Sequence, residues 1–247
     1  SYNMNYKAVL QYDGTRYRGW QTQGNTDNTI QGKLETLLTK MAGEPVEVNG
    51  SGRTDAGVHA AGQVISFRCK TKESPEEICR YMNEYLPEDI AVLTVEEAAP
   101  RFHARLNAVR KTYAYRIWNA PVKNVFRRRF TTWIQKPLDL DAMEQAATLL
   151  CGTHDYRAFC SLKKFKKSTV RTIEKIEIGK MGQEIRISYT GDGFLYHMVR
   201  ILTGTLVEVG LGLRKPEEMT EILEGQDRTK AGRLMPPEGL TLESVEY

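Results

Sequence analysis

The sequence predicts an α+β fold in which helices pack on antiparallel sheets, arranged as two halves with a basic face between them. Three observations lead there. Strand-like runs alternate with capped amphipathic helices, and the order strand, helix, strand, strand occurs twice. No sequence repeat accompanies this order, so the halves share an architecture and not a motif. The charge is segregated along the chain. Between Ala98 and Pro137 there is no Asp or Glu, while Arg101, Arg105, Arg110, Lys111, Arg116, Lys123, Arg127, Arg128, Arg129 and Lys136 all fall there. A second acid-free run, Tyr156 to Ile173, carries Arg157, Lys163, Lys164, Lys166, Lys167 and Arg171.

The elements follow in order. Lys7 to Tyr12 reads as a strand closed by the turn pair Asp13-Gly14. From Thr29 to Ala42, apolar Ile30, Leu34, Leu37, Leu38 and Met41 recur at helical spacing, with Asn28 as the cap and Gly43 as the stop. Val46 to Val48 and Val64 to Phe67 read as short strands flanking a polar loop. The helix that follows is the best signalled: Ser74 caps it, Pro75 opens it, and Glu77 completes a capping box ahead of Ile78, Tyr81, Met82 and Tyr85. Val95 to Arg110 is the natural joint, which divides the chain into residues 4–100 and 101–247. In the second half, Thr112 to Trp118 is a strand and Asp141 to Leu150 a helix ending before Gly152. Thr172 to Ile178 and Glu184 to Tyr189 form a hairpin about Lys180 to Gly182. Phe194 to Val209 is then a helix with Met198, Ile201, Leu202 and Val209 on one side.

With 247 residues, 40% of them hydrophobic, the chain can bury a sizeable core as one large domain or two ordinary ones. No apolar run approaches the roughly 18 residues of a membrane span, and the first residues lack the apolar stretch of a secretory signal, so a cytoplasmic address is expected. Cys69, Cys79, Cys151 and Cys160 have neither zinc-site nor disulfide-framework spacing. His59, His103, His154 and His197 are too scattered for a metal site. A net charge of +4 says little by itself about a partner. The two basic runs say more, because Tyr113, Tyr115, Trp118, Phe126, Tyr156 and Phe165 are interleaved with them and can stack on bases. The plain alternative is a solvated face. The combination points to RNA.

Two motifs invite a chemical reading. Tyr12-Asp13-Gly14-Thr15 resembles the loop of phosphatases with an aspartyl nucleophile, but the carboxylate needed two residues earlier is Gln11, so the pair Asp13-Gly14 is read as a turn. The loop SGRTDAGVHA, residues 51 to 60, holds a lone carboxylate, Asp55, among glycines 50, 52 and 57. Such glycines permit a sharp turn and close approach of a bulky ligand. Ser51, Arg53 and Thr54 can hold an anion through charge-assisted bonds. From spacing alone, a structural turn is an equal alternative.

The wider pattern resolves this choice. GRTDAGVHA resembles, residue for residue, the signature of the tRNA pseudouridine synthase A (TruA) family. YDGTRYRGWQ (12–21), FHAR (102–105), KTYAYRI (111–117) and GFLYHMVRILTG (193–204) are similar to its other segments in the same order, over nearly the whole chain. The resemblance implies two RNA-binding-like (ferredoxin-like) α+β halves, a central basic cleft, and a homodimer that grips tRNA. The implied reaction isomerises uridines 38, 39 and 40 of the anticodon stem-loop to pseudouridine without a cofactor.

In that reading Asp55 is the reactive group. It attacks C1′ of the ribose, adds to C6 of the base, or removes the C2′ proton, and the sequence leaves all three open. By resemblance, Arg200 pairs with Asp55, Tyr113 packs against the target base, and Arg53 fills the vacated stack or binds a phosphate. The plain alternatives are that Arg200 lies on the exposed flank of an amphipathic helix and that Tyr113 is an ordinary strand tyrosine. A noncatalytic RNA-binding module would be the reading if any of these four side chains were missing; all are present.

Overall fold

The computed structural model describes residues 3–247. Its contacts divide the chain into two compact units, one running to Val109 and including Thr241–Tyr247, the other Arg110–Leu240. The first unit opens with β1 (Asn3–Tyr12), in which Tyr6, Ala8, Leu10 and Tyr12 are buried at the period of two that puts alternate residues on one face. Helix α1 (Ile30–Ala42) buries Ile30, Leu34 and Leu38. Its cap is Thr29, whose hydroxyl accepts from the Gly32 N–H at 3.1 Å, and not Asn28 as expected. Gly43 ends it in the left-handed region at φ 76°. Then come β2 (Val48–Gly50), β3 (His59–Lys70), α2 (Pro75–Tyr85) and β4 (Ile90–Glu97). The capping box of α2 is formed as predicted, with Ser74 and Glu77 each accepting from the other's backbone N–H.

The second unit contains β5 (Arg110–Asn119), β6 (Thr132–Ile134), α3 (Leu140–Leu150), β7 (Gly152–Asp155), β8 (Val170–Met181) and β9 (Glu184–Gly191). It ends with α4 (Met198–Gly210) and α5 (Glu218–Gly225). β5, β9, β8 and β7 are antiparallel neighbours in that order, and β6 pairs parallel with β5. Helix α3 packs on β8, α4 and α5, and α4 packs on β5. Their shared core holds Tyr115, Ile117, Ile187 and Tyr189 from the sheet with Met143, Ala147, Ile201 and Leu202 from the helices.

β10 (Leu240–Glu246) closes the chain and pairs parallel with β3, with Thr241 opposite His59. In the first unit β4, β1 and β3 are antiparallel neighbours, and β2 adds to β3 at Ile65 to Phe67. The fold is thus mixed α+β, with mostly antiparallel strands and five α-helices among the described residues.

The division differs from the one expected after residue 100. Asn5 donates from Nδ2 to the carbonyls of Ala99 and Phe102, Ala104 N–H donates to Ser66 Oγ, and Val109 N–H donates to the Glu246 carbonyl. These bonds tie residues 99–109 to the first unit. Helix α4 starts at Met198 and not at Phe194, because His197 adopts φ 65° and cannot continue a helix.

Candidate active-site residues

Asp55 sits in the connection from β2 to β3. Ser51 continues the ladder, its N–H donating to the Val64 carbonyl at 2.8 Å, and Gln63 Nε2 donates to the Gly52 carbonyl at 3.1 Å. The Asp55 carbonyl then accepts from the Val58 N–H at 3.0 Å, which closes a turn with Gly57 at φ 81°. This is the geometry of a type II turn, whose third position calls for glycine. Asp55 is half-buried and Arg53, two residues earlier, is exposed.

A second loop braces this one. The Trp20 N–H donates to the Thr54 carbonyl at 3.0 Å, and the Tyr12 and Thr54 hydroxyls lie 2.7 Å apart in a buried pair. Gly19, at φ 92°, presses against the Asp55 segment so closely that a Cβ there would lie 2.9 Å from the Thr54 carbonyl oxygen. At Gly14 a Cβ would come within 2.0 Å of the Val58 oxygen. Both positions therefore require the smallest residue. The turn read into Asp13-Gly14 is a short 3-10 segment, Gly14–Arg16, capped by Asp13 Oδ1, which accepts from the Thr15 N–H at 3.0 Å. Buried His59 receives the Gly14 N–H on Nδ1 at 2.9 Å. The Asp13 Oδ1 oxygen lies 3.3 Å from the same ring nitrogen.

In the second unit, Tyr113 lies on β5 directly opposite Tyr189 of β9. Its half-buried ring meets Phe194 edge-on, centroids 5.3 Å apart at 84°. Tyr189 is fully buried, and its hydroxyl lies 2.6 Å from Thr203 Oγ1 on α4. Arg200 is on α4 as well. The alternative of an exposed helix flank does not hold, since every residue of α4 but Glu208 is buried and Arg200 is only 8% exposed. Its Nε donates to the Met235 carbonyl at 2.7 Å, and the Met235 N–H returns a bond of 3.2 Å to the Arg200 carbonyl. The segment around residue 235 can come this close because Gly204 faces it. A Cβ at Gly204 would lie 1.9 Å from the Arg233 oxygen.

The site residues thus divide by unit. Arg53 and Asp55 share one braced loop in the first; Tyr113 and Arg200 lie on a contacting strand and helix in the second. Sequence reasoning missed Phe194, although it stands in the GFLYHMVRILTG segment, and missed Trp20 and Tyr12 as the supports of the Asp55 loop. The signal for these was the glycine pair 14 and 19 in a segment otherwise rich in aromatics. The basic runs are also not uniform. Arg110 is bridged by Glu174 and Arg127 by Glu184, with nearest contacts of 2.8 and 2.9 Å, so acids distant in sequence neutralise part of the first run.

Comparison with known proteins identifies the family. The family model described as tRNA pseudouridine synthase matches residues 8–107 and again residues 146–247. A tRNA pseudouridine synthase A from Bacillus sp. (strain KSM-64) is 48% identical over 243 residues, covering 98% of this chain and 99% of that protein. A tRNA pseudouridine synthase A from Brevibacillus brevis is 47% identical over 241 residues, 98% of each chain. A tRNA pseudouridine synthase A 2 from Bacillus anthracis is 44% identical over 243 residues, 98% of this chain and 99% of that one. A solved Cbf5-Nop10-Gar1 complex superposes at a TM-score of 0.37 with 12% identity, over 83% of this chain and 44% of that one, too loosely to inform the fold.

The matched family and the names of these relatives define the protein as an isomerase acting on tRNA. The chain belongs to the tRNA pseudouridine synthase family.

Proposed function

We propose that this protein converts uridines 38, 39 and 40 of the tRNA anticodon stem-loop to pseudouridine, with Asp55 as its reactive group. The reaction breaks the bond from C1′ to N1 of uracil, turns the base, and joins C1′ to C5. N1 gains a proton and C5 loses one, so nothing is consumed and the chemistry calls for no cofactor. What it does require is one positioned reactive group and a pocket that holds the freed base in a prepared electrostatic environment.

The observation that carries the reading is the turn at Asp55. Its main chain is engaged with Val58 and clamped by the loop ending at Trp20, so the side chain of half-buried Asp55 leaves the turn from a fixed point. Asp55 attacks C1′, adds to C6 or takes the C2′ proton. Tyr113 gives the base a flat surface that tolerates in-plane rotation, and stacking of this kind contributes roughly 1–3 kcal/mol per base. Arg200 supplies positive charge to the reaction, and Arg53 binds a phosphate or fills the gap left by the extruded base. Extrusion itself costs a few kcal/mol, offset by phosphate contacts of the basic residues. RNA-binding-like halves, a homodimer and a cytoplasmic address complete the proposal, and rest on the resemblance of the five sequence segments.

The test is to incubate the purified protein with an unmodified tRNA transcript and map pseudouridine by primer extension after carbodiimide treatment. Stops at positions 38 to 40 are expected. Tight binding with no pseudouridine would refute the catalytic reading; pseudouridine elsewhere in the tRNA would refute the positions.

A further inference from the structure

The segment from Arg157 to Lys167 and the entry to α4 meet at Ser161. Its N–H donates to the Tyr196 carbonyl at 3.3 Å, and its Oγ lies 2.8 Å from His197 Nδ1. At that point the Tyr196 and His197 rings stack face to face, centroids 3.7 Å apart at 25°. Side chains of adjacent residues point apart in a strand or a helix. The left-handed backbone of His197, φ 65°, accompanies this departure, in a region where non-glycine residues are uncommon. Tyr196 is 48% exposed, so one ring face rests on imidazole while much of the residue meets solvent.

The chain leaving Ser161 carries Lys163, Lys164, Lys166 and Lys167, all exposed. The loop is pinned at its middle, where the Arg157 guanidinium lies over the half-buried Phe165 ring at 4.6 Å from the centroid. No acid occurs between Tyr156 and Ile173, and none of the four lysines forms an ion pair among the described residues. Arg110 and Arg127 of the other run, in contrast, are bridged by glutamates. Four like charges on five consecutive residues repel, and no acid stands within the run to offset them.

We propose that Tyr196, braced by His197 and Ser161, and the lysine loop that leaves Ser161 form one RNA-docking subsite, the ring stacking on an unpaired base and the ammonium groups holding the phosphates beside it. The inference rests on reading the substrate as RNA and goes beyond the reacting uridine. Aromatic faces beside backbone-tracking cations suit a splayed strand. An anionic membrane surface fits less well: a lipid-binding basic loop turns its aromatic residue outward, and here Phe165 is covered by Arg157.

The experiment measures affinity for an unmodified tRNA transcript by fluorescence anisotropy across a salt series. The proteins are wild type, the quadruple variant Lys163→Gln, Lys164→Gln, Lys166→Gln and Lys167→Gln, and the single variants Tyr196→Ala and Tyr196→Phe. The quadruple variant is expected to lower the slope of log K against log salt by about 3, at about 0.7–0.9 for each phosphate no longer neutralised. Tyr196→Ala is expected to weaken binding at least about fivefold, and Tyr196→Phe to bind like wild type. A wild-type slope in the quadruple variant overturns the proposal, as does wild-type affinity in Tyr196→Ala. Loss of binding to anionic phosphatidylserine vesicles with RNA affinity intact also overturns it, in favour of a membrane. Should a variant misfold, protection of the four lysines from acetylation by bound RNA in the wild-type protein decides, and absence of protection refutes the subsite. Binding is read without turnover. A protein that makes no pseudouridine yet loses RNA with these lysines would sink the proposed function alone, and one that modifies tRNA while the variants bind normally would sink this subsite alone.

Discussion

The hydroxyls of Tyr12 and Thr54 lie 2.7 Å apart with both residues buried, which ties the end of β1 to the residue before Asp55. The pair fixes the height of the Asp55 turn relative to β1 through one bond that crosses 42 residues of sequence. Replacing Tyr12 with Phe keeps the ring's packing and removes only the hydroxyl. The Thr54 oxygen then loses a buried partner, at about 1–2 kcal/mol of stability. Urea unfolding measures that loss. Because the loop is left less well held, kcat for pseudouridine formation is expected to fall more than KM rises; an equal change in both would reduce the pair to a structural role.

The same tyrosine gives the protein a sensitivity to alkali. Burial is the main cause that pushes the Tyr12 phenol from 10.0 up to about 12, with hydrogen bonds from Thr54 and Gln63 partly opposing it. Tyr115, Tyr156 and Tyr189 are raised as well, chiefly by burial. A folded-state pKa above the unfolded value means that the folded chain retains the proton longer. This stabilisation is complete below pH 10 and disappears as pH climbs towards 12. Denaturant midpoints should therefore decline with pH across that window. Tyr12→Phe should show a shallower decline, and an identical slope would contradict the burial.

Much of the first unit was legible because its signals are local. Ser74, Pro75 and Glu77 specify the start of α2 through short-range bonds, and Gly43 specifies the end of α1 through its own backbone freedom. What escaped depends on partners far away in the chain. Nothing local announces β10, whose parallel pairing of Thr241 with His59 brings together residues from opposite ends of the sequence. β6 is three residues long and is a strand only because β5 lies beside it. The end of β4 falls in the expected joint, yet its register with β1 makes it an edge strand of the first unit. The glycine signature and the helix carrying Arg200 were also legible. The burial of Arg200 was not, because it follows from how the segment near Met235 crosses α4.

That crossing makes Gly204 the less replaceable of the two glycines of α4. A Cβ there would stand 1.9 Å from the Arg233 oxygen, an atom of the backbone that cannot swing aside. Gly204→Ala would push the segment off the helix and pull on the Met235 carbonyl that Arg200 holds. A loss of about 3 kcal/mol is expected from overpacking of this kind, read as a lowered melting temperature. Gly179→Ala on β8 is the control, since nothing lies within 4 Å of its added methyl. It should be neutral or slightly stabilising. Equal behaviour of the two variants would refute the close crossing.

Asp55→Asn separates chemistry from architecture. The turn at this position uses the Asp55 carbonyl, which accepts from Val58, and the φ of Gly57, neither of which depends on the side chain's charge. Asn has the same size and adopts the same backbone, so stability should change by less than about 1 kcal/mol. The amide, however, has neither the charge nor the basicity to attack C1′, add to C6 or remove the C2′ proton. Pseudouridine formation should fall by at least about a thousandfold, as when a sole nucleophile or base is removed, while tRNA affinity stays near that of wild type. Asp55→Ala guards against slow deamidation of Asn back to Asp. If both variants turn over within about tenfold of wild type, the reactive group lies elsewhere; if both lose tRNA binding in step with rate, Asp55 holds the substrate and does not transform it.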